Sequence, residues 1–163
     1  MPIPGVGQTA TEAFAEIISL AQLAKRRGLH RFWMSEHHGM PGAATSSPQM
    51  MLARLTGETE RIRLGAGGVM LPNHVPLLVT AQFGMLEALA PGRIDLGLGR
   101  APGTDPATAA ALRRGHGAND TFPEQVLELF GFLGRSSPPD TPTRTCMLCP
   151  ARGRRTRTGF RAR

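Results

Sequence analysis

The apolar positions near the start of the chain repeat at helical spacing. Phe14, Ile17, Ile18, Ala21 and Ala24 share one face, behind a capping box in which Thr9 is followed three residues later by Glu12. Gly28 follows the basic run Lys25-Arg26-Arg27 and is placed to end this segment, so the spacing predicts a helix over about residues 10–27. The pattern then changes. Arg31-Phe32-Trp33-Met34-Ser35 is rich in strand formers and runs into the polar cluster Glu36-His37-His38. Ser47-Pro48 offers an N-cap and a first-turn proline for a second helix through Met50, Met51, Leu52 and Leu55. A second strand is predicted over residues 62–67, then a loop over 68–74, a helix over about 76–89 stopped by Pro91-Gly92, and a third strand over 93–98. Two further helical pieces follow. One lies near residues 106–113; the other opens on the capping-box pattern Thr121-Phe122-Pro123-Glu124 and carries Val126, Leu127, Leu129, Phe130 and Leu133.

Strands that alternate with helices in this way form repeated β/α units, and right-handed crossovers lay such strands side by side in one parallel sheet. Three strands cannot close a barrel, and a parallel sheet needs cover on both faces. The expected fold is therefore α/β, an incomplete run of parallel β/α units with three recognisable strands, which needs either cover on both faces or closure into a barrel. On this reading residues 1–134 form the folded part. From Arg135 onward, Pro138-Pro139, Pro142, Pro150 and Arg152-Gly153-Arg154-Arg155-Thr156-Arg157 follow neither a helical nor a strand period, so residues 135–163 are expected to be a disordered Arg/Pro-rich tail. The abrupt change of composition after Gly134 is what a shifted reading frame would produce, and an incomplete barrel with open sheet edges is expected to self-associate.

Charge sharpens this division. The chain carries a formal +7, but residues 1–134 hold eleven Lys+Arg against eleven Asp+Glu, and the excess lies entirely in the tail. A nucleic-acid-binding domain spreads basic groups and stacking aromatics over a folded face, which this body does not, so only non-specific contact through the tail is expected. There is no secretory-signal pattern and no run of ~20 apolar residues to span a membrane, which makes the cytoplasm the expected location. Both cysteines, Cys146 and Cys149, fall in the tail; one C-x-x-C supplies half of a zinc site and no partner pair follows, so no metal is expected.

Candidate chemistry gathers in the loops after the three strands, where β/α proteins place their sites. Adjacent side chains at a strand end point opposite ways, so of His37 and His38 one can face the barrel mouth while the other is held by Glu36 or the backbone. A hydrogen-bonded loop cluster is the plainer alternative. A zinc site would need a third ligand, and His30, His74 and His116 have no motif linking them to this pair. The run Gly65-Ala66-Gly67-Gly68-Val69-Met70-Leu71-Pro72-Asn73-His74 admits close approach by a backbone or flat ring, or forms a bulge. Gly97-Leu98-Gly99-Arg100-Ala101-Pro102-Gly103 has the wrong glycine spacing for a dinucleotide fingerprint. Arg100 is nonetheless placed to clamp a phosphate or carboxylate, or to pair with Asp95 or Asp105.

These stretches, together with Gln82-Phe83-Gly84-Met85-Leu86-Glu87-Ala88-Leu89-Ala90-Pro91-Gly92-Arg93-Ile94-Asp95, resemble the bacterial luciferase-like flavin-dependent monooxygenases over about residues 2–134. The resemblance implies that His37 is the active-site histidine near the flavin and His38 its neighbour, that Gly67, Gly68, Val69 and Gly99 line the cofactor, with a cis peptide at Gly67-Gly68, and that Arg100 reaches the flavin phosphate. It implies reduced FMN delivered by a separate flavin reductase, with a deazaflavin as the alternative cofactor, O2 and a small-molecule substrate as co-reactants, and a homodimer. It also implies that the fold is a partial TIM-type (β/α)8 barrel, residues 1–134 being the barrel part, whose later strands have no counterpart before residue 163. The alternatives from other classes are a non-catalytic interaction module with a nucleic-acid-contacting tail, which loss of salt-dependent DNA binding on removal of residues 135–163 would reveal, and a small flavodoxin-like binding protein.

Overall fold

The structure, a computed structural model, describes residues 8–40, 44–112 and 117–134. The expected tail, with Cys146, Cys149 and its arginines, lies outside the described residues, as do Arg113 and His116.

Helix α1 (Ala10–Arg26) is followed by strand β1 (Arg31–Met34), α2 (Pro48–Glu58), β2 (Arg63–Met70), a single 3-10 turn (Leu71–Asn73), α3 (Pro76–Leu89), β3 (Ile94–Gly99), α4 (Pro106–Ala111) and α5 (Phe122–Phe132). The capping box at the start of α1 forms as read: Glu12 N–H donates to Thr9 Oγ1 at 3.3 Å and Thr9 N–H donates to Glu12 Oε2 at 2.8 Å. Gly28, at φ +76°, turns the chain out of the helix, and the Leu29 amide returns to the Ala24 carbonyl at 3.0 Å.

The strands form one parallel sheet in the order β1-β2-β3, with Phe32 opposite Leu64 and Leu64 opposite Ile94. Period-two alternation sorts their side chains. Phe32, Met34, Leu64, Ala66, Ile94 and Leu96 turn toward the helices and pack with Ile17, Leu52, Leu55, Val79, Phe83 and Leu86. Full burial of one such leucine stabilises the fold by about 1.5–3 kcal/mol relative to leaving it exposed. The intervening positions are Arg31, Trp33, Arg63, Gly65, Gly67, Asp95 and Gly97. They face away from the helices; Trp33 stays 51% exposed there, so this face of the sheet is open among the described residues.

Three readings of local structure are corrected. Strand β2 runs on through Gly68 to Met70, because a shift in register between Ala66 and Val69 lets pairing with β3 resume at Val69–Leu98; only residues 71–74 of the expected loop leave the sheet. The capping box at Thr121 does not form. Its backbone sits at φ −87°, ψ 3°, and the hydroxyl donates back to the Ala118 carbonyl at 3.2 Å. Ser47 likewise caps nothing, its hydroxyl going to Gln49, and Pro48 in the first turn is what opens α2. No helix among the described residues is long and apolar enough to cross a membrane.

Candidate active site

Three chain segments leave the carboxyl ends of the strands and meet around Glu36. This residue follows β1, is 0% exposed, and spends both carboxylate oxygens on donors, one from its own loop and two from the segment that ends β2. Oε1 accepts from His38 Nε2 and from His74 Nε2, each at 2.7 Å, and Oε2 accepts the Met70 amide at 3.0 Å. Burial alone would raise its pKa; the hydrogen bonds from His74 and His38, the charge of His74 and the Met70 amide outweigh that and hold it below the ordinary carboxylate value. One buried carboxylate thus ties the loop after β1 to the end of β2 and to the residue beyond the 3-10 turn.

The third segment closes on the same point. His38 N–H donates to the Gly103 carbonyl at 3.1 Å, and Thr104 Oγ1 donates to the His38 carbonyl at 2.6 Å. Asn73 Nδ2 donates to the Pro102 carbonyl at 2.9 Å. Gly103 has φ +64°, and a Cβ there would lie 2.9 Å from the Glu36 carbonyl, so only glycine lets this loop come so near.

His37 and His38 face opposite ways, as strand-end alternation requires. His38 is turned inward onto Glu36. His37 lines an open cavity of about 420 Å³ with Gly39, Met40, Gly103, Thr104 and Asp105. Its amide donates to the Thr45 carbonyl at 3.1 Å, and its Nδ1 lies 3.2 Å from Ser35 Oγ. A second hollow, of about 360 Å³, lies along α1 beside Glu16, Leu20 and Leu23, away from the strand ends.

The Gly67–Gly68 peptide is cis. It lies in β2 where the register with β3 shifts, with Gly67 exposed and Gly68 partly so. Val69 turns its side chain into the core, where it is fully buried, and Gly99 pairs with Met70. Arg100 departs from the ion pairs read from sequence: its partner is neither Asp95 nor Asp105. Its Nε donates to the Asn119 carbonyl at 3.0 Å, and a terminal nitrogen lies 3.6 Å from Asp120 Oδ1. Asp105 instead caps α4, accepting from the Ala107 and Thr108 amides, and Asp95 is held at the other end of the sheet.

His74 is the residue that motif reasoning left unlinked. Its signal was its place at the end of the glycine run, which returns it to the strand end where Glu36 sits. Glu36, His38 and His74 bring one oxygen and two nitrogens within 4.8 Å of one another. Two ligands on a tetrahedral zinc stand roughly 3.3 Å apart given Zn–N bonds of about 2.0–2.1 Å. The 2.7 Å separations from Glu36 to each imidazole are those of direct hydrogen bonds.

Residues 2–127 match the family model described as luciferase-like monooxygenase. The chain belongs to this family. It is 50% identical over 138 residues to a luciferase-like monooxygenase of Escherichia coli strain K12, an alignment covering 84% of this chain and 41% of the relative. A flavin-dependent trigonelline monooxygenase, oxygenase component, from Acinetobacter baylyi is 34% identical over 93 residues, covering 57% of this chain and 26% of the relative. The crystal structure of apo-MsnO8 superposes with a TM-score of 0.79 at 36% identity, over 93% of this chain and 44% of that one. The three-stranded sheet and its helices are thus the α/β fold of part of a luciferase-like barrel, and this chain spans under half the length of these relatives.

Proposed function

We propose that this luciferase-like chain forms part of the flavin-binding mouth of a cytoplasmic monooxygenase that uses reduced FMN and O2 to oxygenate a small organic substrate. The observation that carries the reading is the convergence of three strand-end segments on Glu36 and His38, with the His37 imidazole lining a cavity beside them. The residues fit a flavin: the exposed Gly67–Gly68 backbone offers a flat surface with no side chain of its own, and Arg100 is an exposed cation at the end of β3. When bound, the flavin supplies the two-electron chemistry that activates O2.

The chain's own residues bind and orient. Gly67, Gly68 and Val69 would present backbone to the ring, Gly99 would line the site beside the Met70 side chain that packs against it, and Arg100 would hold the phosphate. His37 holds or accepts a proton beside the substrate, while His38, donating its Nε2–H to Glu36, is fixed in one tautomer and orients the loop that carries His37. The flavin-dependent relative supports the cofactor class, and its designation as an oxygenase component supports a separate reductase as partner. Homodimerisation is part of the same reading.

Titration with FMN, oxidised and reduced, followed by absorbance tests it. Stoichiometric binding is expected, weakened about tenfold by Arg100→Ala through loss of a charged phosphate contact. A chain that binds neither redox form, or an Arg100→Ala variant that binds as well as the original, would overturn the assignment. A deazaflavin coenzyme in competition with FMN decides between the two cofactors.

A further inference from the structure

The chain has one tryptophan, and no role above uses it. Trp33 lies on the open face of the sheet, half exposed, with its indole laid along β2. A Cβ at Gly65 would fall 2.7 Å from its Nε1 and 2.8 Å from its Cδ1, and a Cβ at Gly67 would fall 2.5 Å from its Cε3. Carbon atoms do not approach that closely, so the ring fills the volume that side chains at both positions would need. One flat ring that the glycine run admits is therefore the chain's own. The indole is also pinned: Nε1–H donates to Asp95 Oδ2 at 3.1 Å. Asp95 is in turn gripped by Arg31, whose Nε lies 3.2 Å from Oδ2, and by Arg63, whose Nε lies 3.0 Å from Oδ1.

A half-exposed indole contributes little to the core, which Phe32 and Met34 of the same strand supply from the other face. Apart from the Asp95 carboxylate, it lies against one stretch of backbone, at Gly65 and Gly67. We propose that Trp33 is a positioning residue: its indole, pinned by Asp95, holds the Gly65–Gly68 segment of β2 so that the Gly67–Gly68 peptide keeps a fixed surface toward the flavin. The ligand in this statement rests on the function proposed above; the packing does not. Arg31 and Arg63 at the foot of the sheet thereby act on the mouth through Asp95 and the ring.

The test separates the two parts. In the full chain, Gly67→Ala is expected to lower the melting temperature by several degrees while Trp33 is present, and by less than half as much in a Trp33→Ala background, because the clash partner is gone. Equal losses in both backgrounds would overturn the positioning role whatever the ligand is. Should Trp33→Ala fail to fold, Trp33→Leu serves, since it keeps apolar volume without a planar ring. The second measurement is FMN binding. Trp33 emission is expected to fall on saturation, Trp33→Phe, which keeps a flat ring but loses the bond to Asp95, to weaken the affinity about threefold, and Trp33→Leu to weaken it about tenfold. Unchanged affinity in Trp33→Leu, with the original chain binding, also overturns the proposal. If the original chain binds no FMN, the flavin reading fails and the melting cycle alone decides the role of the indole.

Discussion

Two buried carboxylates sit at opposite ends of the same sheet, and they are neutralised in different ways. Asp95, at the amino end of β3, is 9% exposed and faces two guanidinium groups and the Trp33 indole. Glu36, beyond the carboxyl end of β1, is 0% exposed and faces two imidazoles and the Met70 amide. Burial would raise the pKa of each. At Asp95 the hydrogen bonds of Arg63 and Trp33 and the charges of Arg63 and Arg31 reverse that effect, and at Glu36 the two histidines and the amide do so. A guanidinium keeps its charge and its fork of donors under all ordinary conditions, whereas an imidazole can exchange its proton and still present one nitrogen. The amino end of the sheet is built to stay fixed. The carboxyl end is instead held by imidazoles, whose hydrogen-bonding pattern changes with their protonation state.

The largest effect that would break this comparison is truncation of the better-buried acid. Glu36→Ala leaves the Met70 amide and two imidazoles without their acceptor and is expected to destabilise the chain by about 3 kcal/mol in urea unfolding. Asp95→Ala is expected to cost less, about 1–2 kcal/mol, because the Arg31 side chain is 55% exposed and water can replace its partner. A reversed order of the two would show that the amino end, not the mouth, is the more demanding site.

A smaller and more diagnostic effect is the pH dependence. Both carboxylates have lowered pKa values in the folded chain, so each contributes stability above its unfolded value, ordinarily 4.5 for Glu36 and 3.8 for Asp95, and that contribution is lost as pH falls through the lower folded value. Glu36→Gln is therefore expected to be less stable than the original at pH 7, by about 1–2 kcal/mol, with the gap closing in acid. Asp95→Asn should close its gap in the same sense, over a window that begins lower. A gap at Glu36 that stays constant from neutral pH to pH 3 would mean that the carboxylate charge contributes nothing there.

The smallest expected change sharpens the amino end alone. Arg31→Ala should cost roughly 0.5 kcal/mol at low salt and nearly nothing in 1 M salt, as for an exposed ion pair. A large, salt-independent loss would place Arg31 with Arg63 as a fixed buttress of Asp95.

Much of this was legible along the chain, for local reasons. The α1 capping box needs only Thr9 and Glu12 one turn apart, and the opposed directions of His37 and His38 follow from the period of an extended backbone. Where local reading failed, a competing partner or pairing won. Thr121 has the sequence of a cap, but its backbone has already turned helical, so its hydroxyl reaches back to Ala118. The glycines near Gly67 looked like a loop, but pairing with β3 resumes beyond the register shift and carries β2 on to Met70.

The sequence by itself determined the alternation of helices and strands, the parallel β/α class, the gathering of candidate chemistry in three strand-end loops and the family to which the chain belongs. The first three are written in spacing over a few residues, through hydrogen bonds and side-chain periods that the backbone repeats, and the family in the resemblance of whole motifs. Only the tertiary structure decided that His74 joins His38 on Glu36, that Arg100 reaches Asn119 and Asp120, and that the flat ring on the glycine run is Trp33. Those partners lie far apart along the chain; the first and last of these meetings depend on the register of the parallel strands, and that of Arg100 on where the segment before α5 is placed, which no local spacing encodes.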